Sequence, residues 1–143
     1  MKEVTLVIPA KKEPNALPIV LNELKNHYPN INIMIVMQKD DQETFKAIKD
    51  YDCKIVFQTG RGYGNAILEG IQQSVTTYTC VFYADGSTDP KYISIMLNKT
   101  RGENLDVVFG SRYEKGAGSF DDDLITRVGN FFFTFFGNFL LKL

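Results

Sequence analysis

The chain has 143 residues, 44% of them hydrophobic and 23% charged, with a formal net charge of -1. This length and apolar content predict one folded domain with its own core, residues 1–143, and argue against disorder. A charge near zero gives no sign of a nucleic-acid partner.

Two further features place the chain in a reducing compartment. Its two cysteines, Cys53 and Cys80, lie inside apolar runs and are expected to be buried thiols without metal-ligand spacing. No run approaches the roughly 20 apolar residues of a membrane span, and the amino terminus lacks a signal-peptide pattern. We therefore expect a cytoplasmic protein.

The first half of the chain alternates apolar runs with helical patterns. "VTLVIP" (4–9), "INIMIVM" (31–37) and "CKIVF" (53–57) are typical of buried strands. Between the first two, Leu17, Val20, Leu21 and Leu24 recur at the spacing of one helix face. A polar segment near 41–50 is predicted to be helical.

The second half continues the alternation. The turn "TGRGYG" leads into a predicted helix carrying Ile67, Gly70, Ile71 and Val75. "TCVFY" (79–83) and "LDVVFG" (105–110) are predicted strands, separated by a helix with Ile93, Met96 and Leu97 on its apolar face. A last helix is predicted from about 124. Such alternation predicts an α/β fold, a three-layer, doubly wound and mostly parallel sheet.

The predicted topology also places a site. Ligands of open α/β sheets bind outside the carboxyl ends of the strands. The segments that leave those ends are "AKKEPN", "QKDDQE", "TGRGYG", "ADGSTD" and "SRYEKG". Polar loops follow strands in any protein, but five that converge on one edge predict a shared pocket.

"YADGSTDP" (83–90) contains two acidic residues with different expected roles. Asp89, followed by Pro90, is typical of a helix N-cap. Asp85 precedes Gly86, so it either forms a turn or binds a divalent cation on a diphosphate. Spacing alone leaves both roles for Asp85 open.

Other motifs are weaker. Glycines in "GRGYGN" (60–65) could bring backbone close to a phosphate, with Arg61 beside it, or form an ordinary turn. Arg112, after the fifth predicted strand, offers a planar fork for phosphate oxygens. The single histidine, His27, argues against a zinc site or a His-based triad.

Taken in order, these segments resemble family 2 glycosyltransferases with the A-type nucleotide-sugar-binding fold, in the branch that includes dolichyl-phosphate mannose synthase-like enzymes. The resemblance rests on segments spread over nearly the whole chain: "VTLVIPAKKEPNALPIVLNEL", "GRGYGNAILEGI", "YADGSTDP", "VVFGSRYEKGAG" and "TRVGNFFFTFFGNFLLKL".

The resemblance implies transfer of a sugar from a nucleoside-diphosphate sugar to a polyprenyl phosphate, with Mg²⁺ or Mn²⁺ held by Asp85. It implies that Asp85, Arg112 and Arg127 serve the reaction. Donor-binding positions would be Pro9, Ala10, Glu13, Gln38, Arg61, Gly64, Ala84, Asp85 and Ser87. Gln38 stands where the family usually reads the base with an aspartate.

Three departures bear on activity. Tyr83 replaces the first aspartate of the family's Asp-x-Asp pair, and "VMQKD" replaces its Val-Asp-Asp-Gly-Ser motif. Lys11 and Lys12 replace its Tyr-Asn, and they or Arg61 could supply positive charge in place of a tightly held metal. Family members also continue past the last helix, so the chain looks short on the acceptor side. The alternatives are a non-catalytic nucleotide-binding module and a sugar nucleotidyltransferase, which usually has a glycine-rich first loop.

The carboxyl-terminal run carries six phenylalanines and three leucines between 131 and 143. Three roles stay open for it: a buried helix, contact with a membrane surface near a lipid acceptor, or a homodimer interface.

Overall fold

The structure of the chain, a computed structural model, describes residues 1–111 and 124–141, and the side chains of 128–140 within the second range. The described residues form four strands and five helices: β1 (Val4–Ala10), α1 (Ala16–His27), β2 (Asn32–Met37), α2 (Gln42–Ile48), β3 (Lys54–Phe57), α3 (Tyr63–Gln73), β4 (Tyr78–Val81), α4 (Lys91–Glu103) and α5 (Leu124–Leu141).

The strands form one parallel sheet in the order β3-β2-β1-β4. Each parallel pair needs a crossover between its strands, and α1 to α3 occupy those crossovers. β1 is central, pairing with β2 over Thr5–Ala10 and with β4 over Val4–Val7. The predicted α/β fold with a parallel sheet is confirmed.

Both faces of the sheet are covered, which explains why the strands are almost continuously apolar. Leu6 and Ile8 of β1 belong to a core that includes buried residues of α1, α2 and α4. Val7 points to the other face and packs in a second cluster with Ala66 of α3. Alternation along one strand therefore separates the two helical layers.

Pro9 lies near the end of this central strand, where a missing N–H would normally break a ladder. Val7 directs its carbonyl towards β4, where it accepts a hydrogen bond from Phe82 N. Pro9 lies two residues after Val7, so its backbone nitrogen faces the same side as the Val7 carbonyl. Pairing with β4 ends at Val7, so no hydrogen bond from residue 9 is needed there. A proline is therefore tolerated in the middle of the sheet.

The predicted strand at 105–110 is wrong. These residues form no helix or strand, and Val107 and Phe109 are 62% and 87% exposed. A strand is held by hydrogen bonds to a neighbour. Among the described residues β4 is the edge of the sheet, and no segment pairs with its outer side. The apolar run suggested a strand, but among the described residues no neighbouring strand pairs with it.

The described structure divides into two units, Met1–Val108 and Phe109–Leu143. In the second, α5 pairs phenylalanines one turn apart: the ring centroids of Phe131 and Phe135 lie 6.4 Å apart, and those of Phe132 and Phe136 lie 6.5 Å apart. The six phenylalanine side chains are exposed. Within the described ranges, no helix combines the length and apolarity needed to cross a bilayer.

Candidate active site

Four loops leave the carboxyl ends of the strands, and direct contacts link each to the next. The loop after β1 is bonded to the start of α2, Gln38 after β2 is bonded to Gly60 after β3, and Tyr63 stacks on Tyr83 after β4. Four of the five predicted loops are therefore joined at one edge, and the fifth, "SRYEKG", lies outside the described residues except for Ser111. A cavity of about 310 Å³ lies at the opposite edge of the sheet, at the amino ends of the strands beside Thr5, Asn32 and Lys54, and none of the predicted site residues lines it.

Asp41 organises the loop after β1. One carboxylate oxygen accepts a hydrogen bond from Lys12 N at 2.6 Å, and the other accepts one from Thr44 N at 3.2 Å. The Thr44 hydroxyl in turn accepts a hydrogen bond from Glu13 N at 2.9 Å. Lys12 has φ of 60°, the left-handed region that non-glycine residues rarely adopt. A helix cap thus holds an otherwise unfavourable turn and positions Glu13.

Asp41 should make the free energy of unfolding depend on pH in the acid range. Burial raises the pKa of this carboxyl, but hydrogen bonds from Lys12 N and Thr44 and the Lys12 charge outweigh burial, so the net shift is below the ordinary value of 3.8. A lowered pKa contributes stability that is complete above about pH 5 and is lost as the pH falls through the folded-state value. Asp41→Asn, which keeps a cap acceptor but no charge, should therefore flatten the acid limb of a thermal-denaturation series between about pH 5 and 2.

The matched control is Asp40→Asn at the exposed neighbouring carboxylate. It should leave the slope of the melting temperature against pH as in the wild type. Equal flattening by both variants would show that general charge, and not the Asp41 contacts, sets the acid response.

The glycine-rich turn is held from within. The Glu69 carboxylate, on α3, accepts hydrogen bonds from Thr59 N, from the Thr59 hydroxyl and from Gly60 N at 2.7–3.1 Å. The Thr59 hydroxyl is the largest cause that lowers the Glu69 pKa. Because Glu69 occupies the Gly60 N–H, that group is not available to a phosphate in this conformation. Gly62, at the N-cap of α3, has no side chain that could cap the helix, so an anion would meet the first turn of α3 instead.

Gln38, predicted to read a base, also takes part in holding the turn. Its amide nitrogen donates to Gly60 O at 3.0 Å, and Gln58 donates to the same carbonyl at 3.1 Å. The Gln38 amide nitrogen thus has a structural partner within the turn. Its predicted role in base recognition stays a prediction.

Asp85 forms a turn and stays ionised. Its carboxylate accepts a hydrogen bond from Ser87 N at 2.9 Å, the main cause of its lowered pKa. Gly86 has φ of 78°, which favours glycine at that position. Asp89 accepts a hydrogen bond from Lys91 N, the first residue of α4, at 2.9 Å, so its side chain does cap this helix, but the N-cap position itself is occupied by Pro90 and not by Asp89.

The side chains of the described residues include no group of three or more His, Cys, Asp and Glu that could enclose a metal. A single exposed carboxylate still fits a cation that is shared with a diphosphate, because Mg²⁺ is often held by one or two carboxylates together with phosphate oxygens. Asp85 would hold such an ion, and the ion would neutralise charge on the diphosphate.

The other predicted positions fall into three groups. Pro9 and Ala10 are the last residues of β1, Ala84 lies three residues past β4, and all three are buried. Arg61, Gly64 and Ser87 are exposed on the same edge. Arg112 lies outside the described residues, and Arg127 lies on α5 with a side chain that is not described.

Sequence reasoning missed Asp41, Glu69 and Tyr63. Asp41 had a usable signal, an aspartate three residues before Thr44 at the start of a polar helix. Glu69 had none, because it reaches back across more than a turn of its own helix. Tyr63 lies between two glycines, and no residue pattern marked it as part of the site.

With this geometry established, comparison with known proteins identifies the family. The profile of "Glycosyl transferase family 2" matches residues 5–143. The chain belongs to glycosyl transferase family 2. The resemblance drawn from the ordered motifs is thereby confirmed, and with it the assignment to a family of transferases.

Relatives of this family 2 chain are more distant. Uncharacterized glycosyltransferases of Mycobacterium bovis and Mycobacterium tuberculosis are each 27% identical over 113 residues, covering 76% of this chain and 48% of the relative. A protein of Methanococcus voltae named UDP-N-acetylglucosamine–dolichyl-phosphate N-acetylglucosaminyltransferase is 26% identical over 150 residues, covering 90% of this chain and 59% of that protein. The chain thus spans about half to three-fifths of the length of these relatives.

Proposed function

We propose that this chain is the donor-binding part of a glycosyltransferase that moves a sugar from a nucleoside-diphosphate sugar to a polyprenyl phosphate. The observation that carries the proposal is the joined edge of four loops, with an ionised Asp85 whose charge acts on Tyr63, the first residue of α3. The Methanococcus relative, whose name gives a dolichyl-phosphate acceptor, supports the acceptor class.

The acceptor chemistry asks little of the protein. A phosphate monoester has its second pKa near 6, so at pH 7 it is largely a dianion and a competent nucleophile. One of its oxygens attacks the anomeric carbon, the bond from that carbon to the diphosphate oxygen breaks, and the nucleoside diphosphate leaves. No side chain has to remove a proton from the attacking group. The protein's task is alignment and stabilisation of the leaving charge.

The described residues suit that task at the leaving group. Asp85, directly after the buried Ala84, would hold a Mg²⁺ or Mn²⁺ ion that neutralises charge on the diphosphate. The first turn of α3 directs its positive end towards the same edge. Lys11 and Lys12 are exposed in the loop after β1 and add positive charge there.

A non-catalytic nucleotide-binding module is the second candidate. It is favoured by Tyr83, which leaves one carboxylate where the resemblance implies two. Such a module would bind the nucleotide without transferring a sugar.

The lipid acceptor would bring the protein to the cytoplasmic surface of a membrane. The exposed phenylalanines of α5 fit an interfacial helix, whose apolar side chains enter the headgroup region. Flotation with vesicles that contain a polyprenyl phosphate tests this placement. Protein that stays unbound but elutes as a dimer would favour the homodimer interface instead.

The deciding experiment is a thermal-shift panel of UDP, GDP, CDP and dTDP, each with and without Mn²⁺. A ligand at about 100 times its dissociation constant stabilises a fold by roughly 2.7 kcal/mol, a shift of several degrees at this size. We expect one base to stabilise the protein most, with a larger shift when Mn²⁺ is present.

The panel also separates the two candidates. A shift without detectable transfer of label to a polyprenyl phosphate would favour the non-catalytic module. No shift with any of the four nucleotides, with or without the metal, would contradict donor binding altogether.

A further inference from the structure

Two tyrosines meet at the mouth of the site. Tyr63 is the first residue of α3, and Tyr83 follows β4 by two residues. Their ring planes differ by 10° and their centroids lie 6.5 Å apart, within the range of stacked aromatic pairs. Tyr63 is 51% exposed and Tyr83 is 47% exposed, so the pair presents open ring surface to solvent.

The backbone under Tyr63 is firmly held. Gln58 donates to Gly60 O, to Gly62 O and to the Asn65 side chain, and the Glu69 carboxylate accepts hydrogen bonds from Thr59 and Gly60. A surface aromatic on such a braced turn loses little further freedom when a ligand binds. The pair is therefore preorganised for stacking.

The charge of Asp85 also acts on one member of this pair, Tyr63. Burial is the main cause that raises the pKa of the Tyr63 hydroxyl, followed by Tyr83 and then by the negative charge of Asp85. Because Tyr63 is the first residue of α3, the positive end of that helix lies beside the pair, and Asp85 could reach a diphosphate through a shared cation.

We propose that Tyr63 and Tyr83 form an aromatic platform on which the base of the donor nucleotide stacks, an inference that rests on the proposed donor binding. A base is planar and has a π-face whatever its identity, so it gains from stacking without being read by hydrogen bonds. The Gln38 amide, bonded to Gly60 O, is already engaged in the turn. Stacking on the two tyrosines would hold the base without a hydrogen bond from the Gln38 amide.

The test is isothermal titration of the full chain with the best nucleoside diphosphate of the four and, separately, with inorganic pyrophosphate. Tyr63→Ala and Tyr83→Ala should each weaken nucleoside-diphosphate binding by about fivefold to 150-fold, the range of one base–aromatic stack. Pyrophosphate has no base, so its affinity should change by less than about twofold. Tyr63→Phe and Tyr83→Phe keep the rings and should bind like the wild type.

Each other outcome overturns the platform. Alanine variants with wild-type affinity would show that the rings do not bind the base. Equal losses for pyrophosphate would assign the effect to the phosphates, and equal losses in the phenylalanine variants would assign it to the hydroxyls. A wild type that binds no nucleotide would overturn the proposed function and the platform together, whereas the other outcomes leave donor binding standing.

Discussion

Gly70→Ala is expected to lower the free energy of unfolding by about 2 kcal/mol. A Cβ at this position would lie well inside van der Waals contact of Val7 Cγ1, and 3.1 Å from both Val7 Cγ2 and Val36 Cγ2. Val7 and Val36 are fully buried and β-branched, so neither side chain can turn away easily. Overpacking costs about 1–3 kcal/mol, here near the upper end, against a gain of about 1 kcal/mol in helix propensity.

Gly102→Ala in α4 is the matched control, because a Cβ there meets no atom within 4 Å. It should be neutral or stabilising by up to about 1 kcal/mol. Urea denaturation of both variants makes the comparison. If Gly70→Ala were as stable as Gly102→Ala, the close approach of α3 to β1 would not be a constraint on the fold.

Asp85→Asn is expected to remove the Mn²⁺ enhancement of nucleotide binding. Asparagine keeps an oxygen that accepts the Ser87 N–H, so the turn at Gly86 should persist while the charge is lost. Mutation of a residue that only supports a metal ligand typically weakens metal affinity by about 10- to 100-fold. Loss of a direct ligand should therefore weaken metal-dependent binding by at least about tenfold. Titration with the preferred nucleoside diphosphate, with and without Mn²⁺, gives the ratio.

Asp89→Asn is the control for charge. Asp89 lies in the same loop and also accepts a backbone hydrogen bond, from Lys91 N, but it caps α4. Its replacement should leave the Mn²⁺ enhancement intact. If both variants lost the enhancement equally, the loop's overall charge would be responsible, and Asp85 would have only the role of a turn former.

Much of this fold could be read in advance because its signals are local. Leu17, Val20, Leu21 and Leu24 were expected on one helix face, and all four are buried. The face predicted for α3 was partly wrong: Val75 is 97% exposed, and Ala66 and Gly70 are the buried residues of that helix. Small residues carry little hydrophobic signal, although only they allow α3 to pack this closely on β1.

The candidate site, like the fold, could be predicted from the sequence only in part. The order of strands and helices was enough to bring the loops after β1 to β4 to one edge of the sheet, and the motifs in those loops were enough to indicate the family. The contacts that shape the edge were not foreseeable, since Lys12 and Asp41 are 29 residues apart and Gln38 and Gly60 are 22 apart.

The sequence by itself determined the parallel α/β architecture, the family and the sheet edge at which the candidate site is placed. These follow from periodic burial, from the handed, alternating connection of strands and helices, and from the order of short motifs. Only the tertiary structure decided that 105–110 has no partner strand, that Glu69 fills the glycine-rich turn and that Tyr63 stacks on Tyr83. Each of these depends on which residues meet across the fold, and that is settled by three-dimensional packing and hydrogen bonding, not by neighbours along the chain.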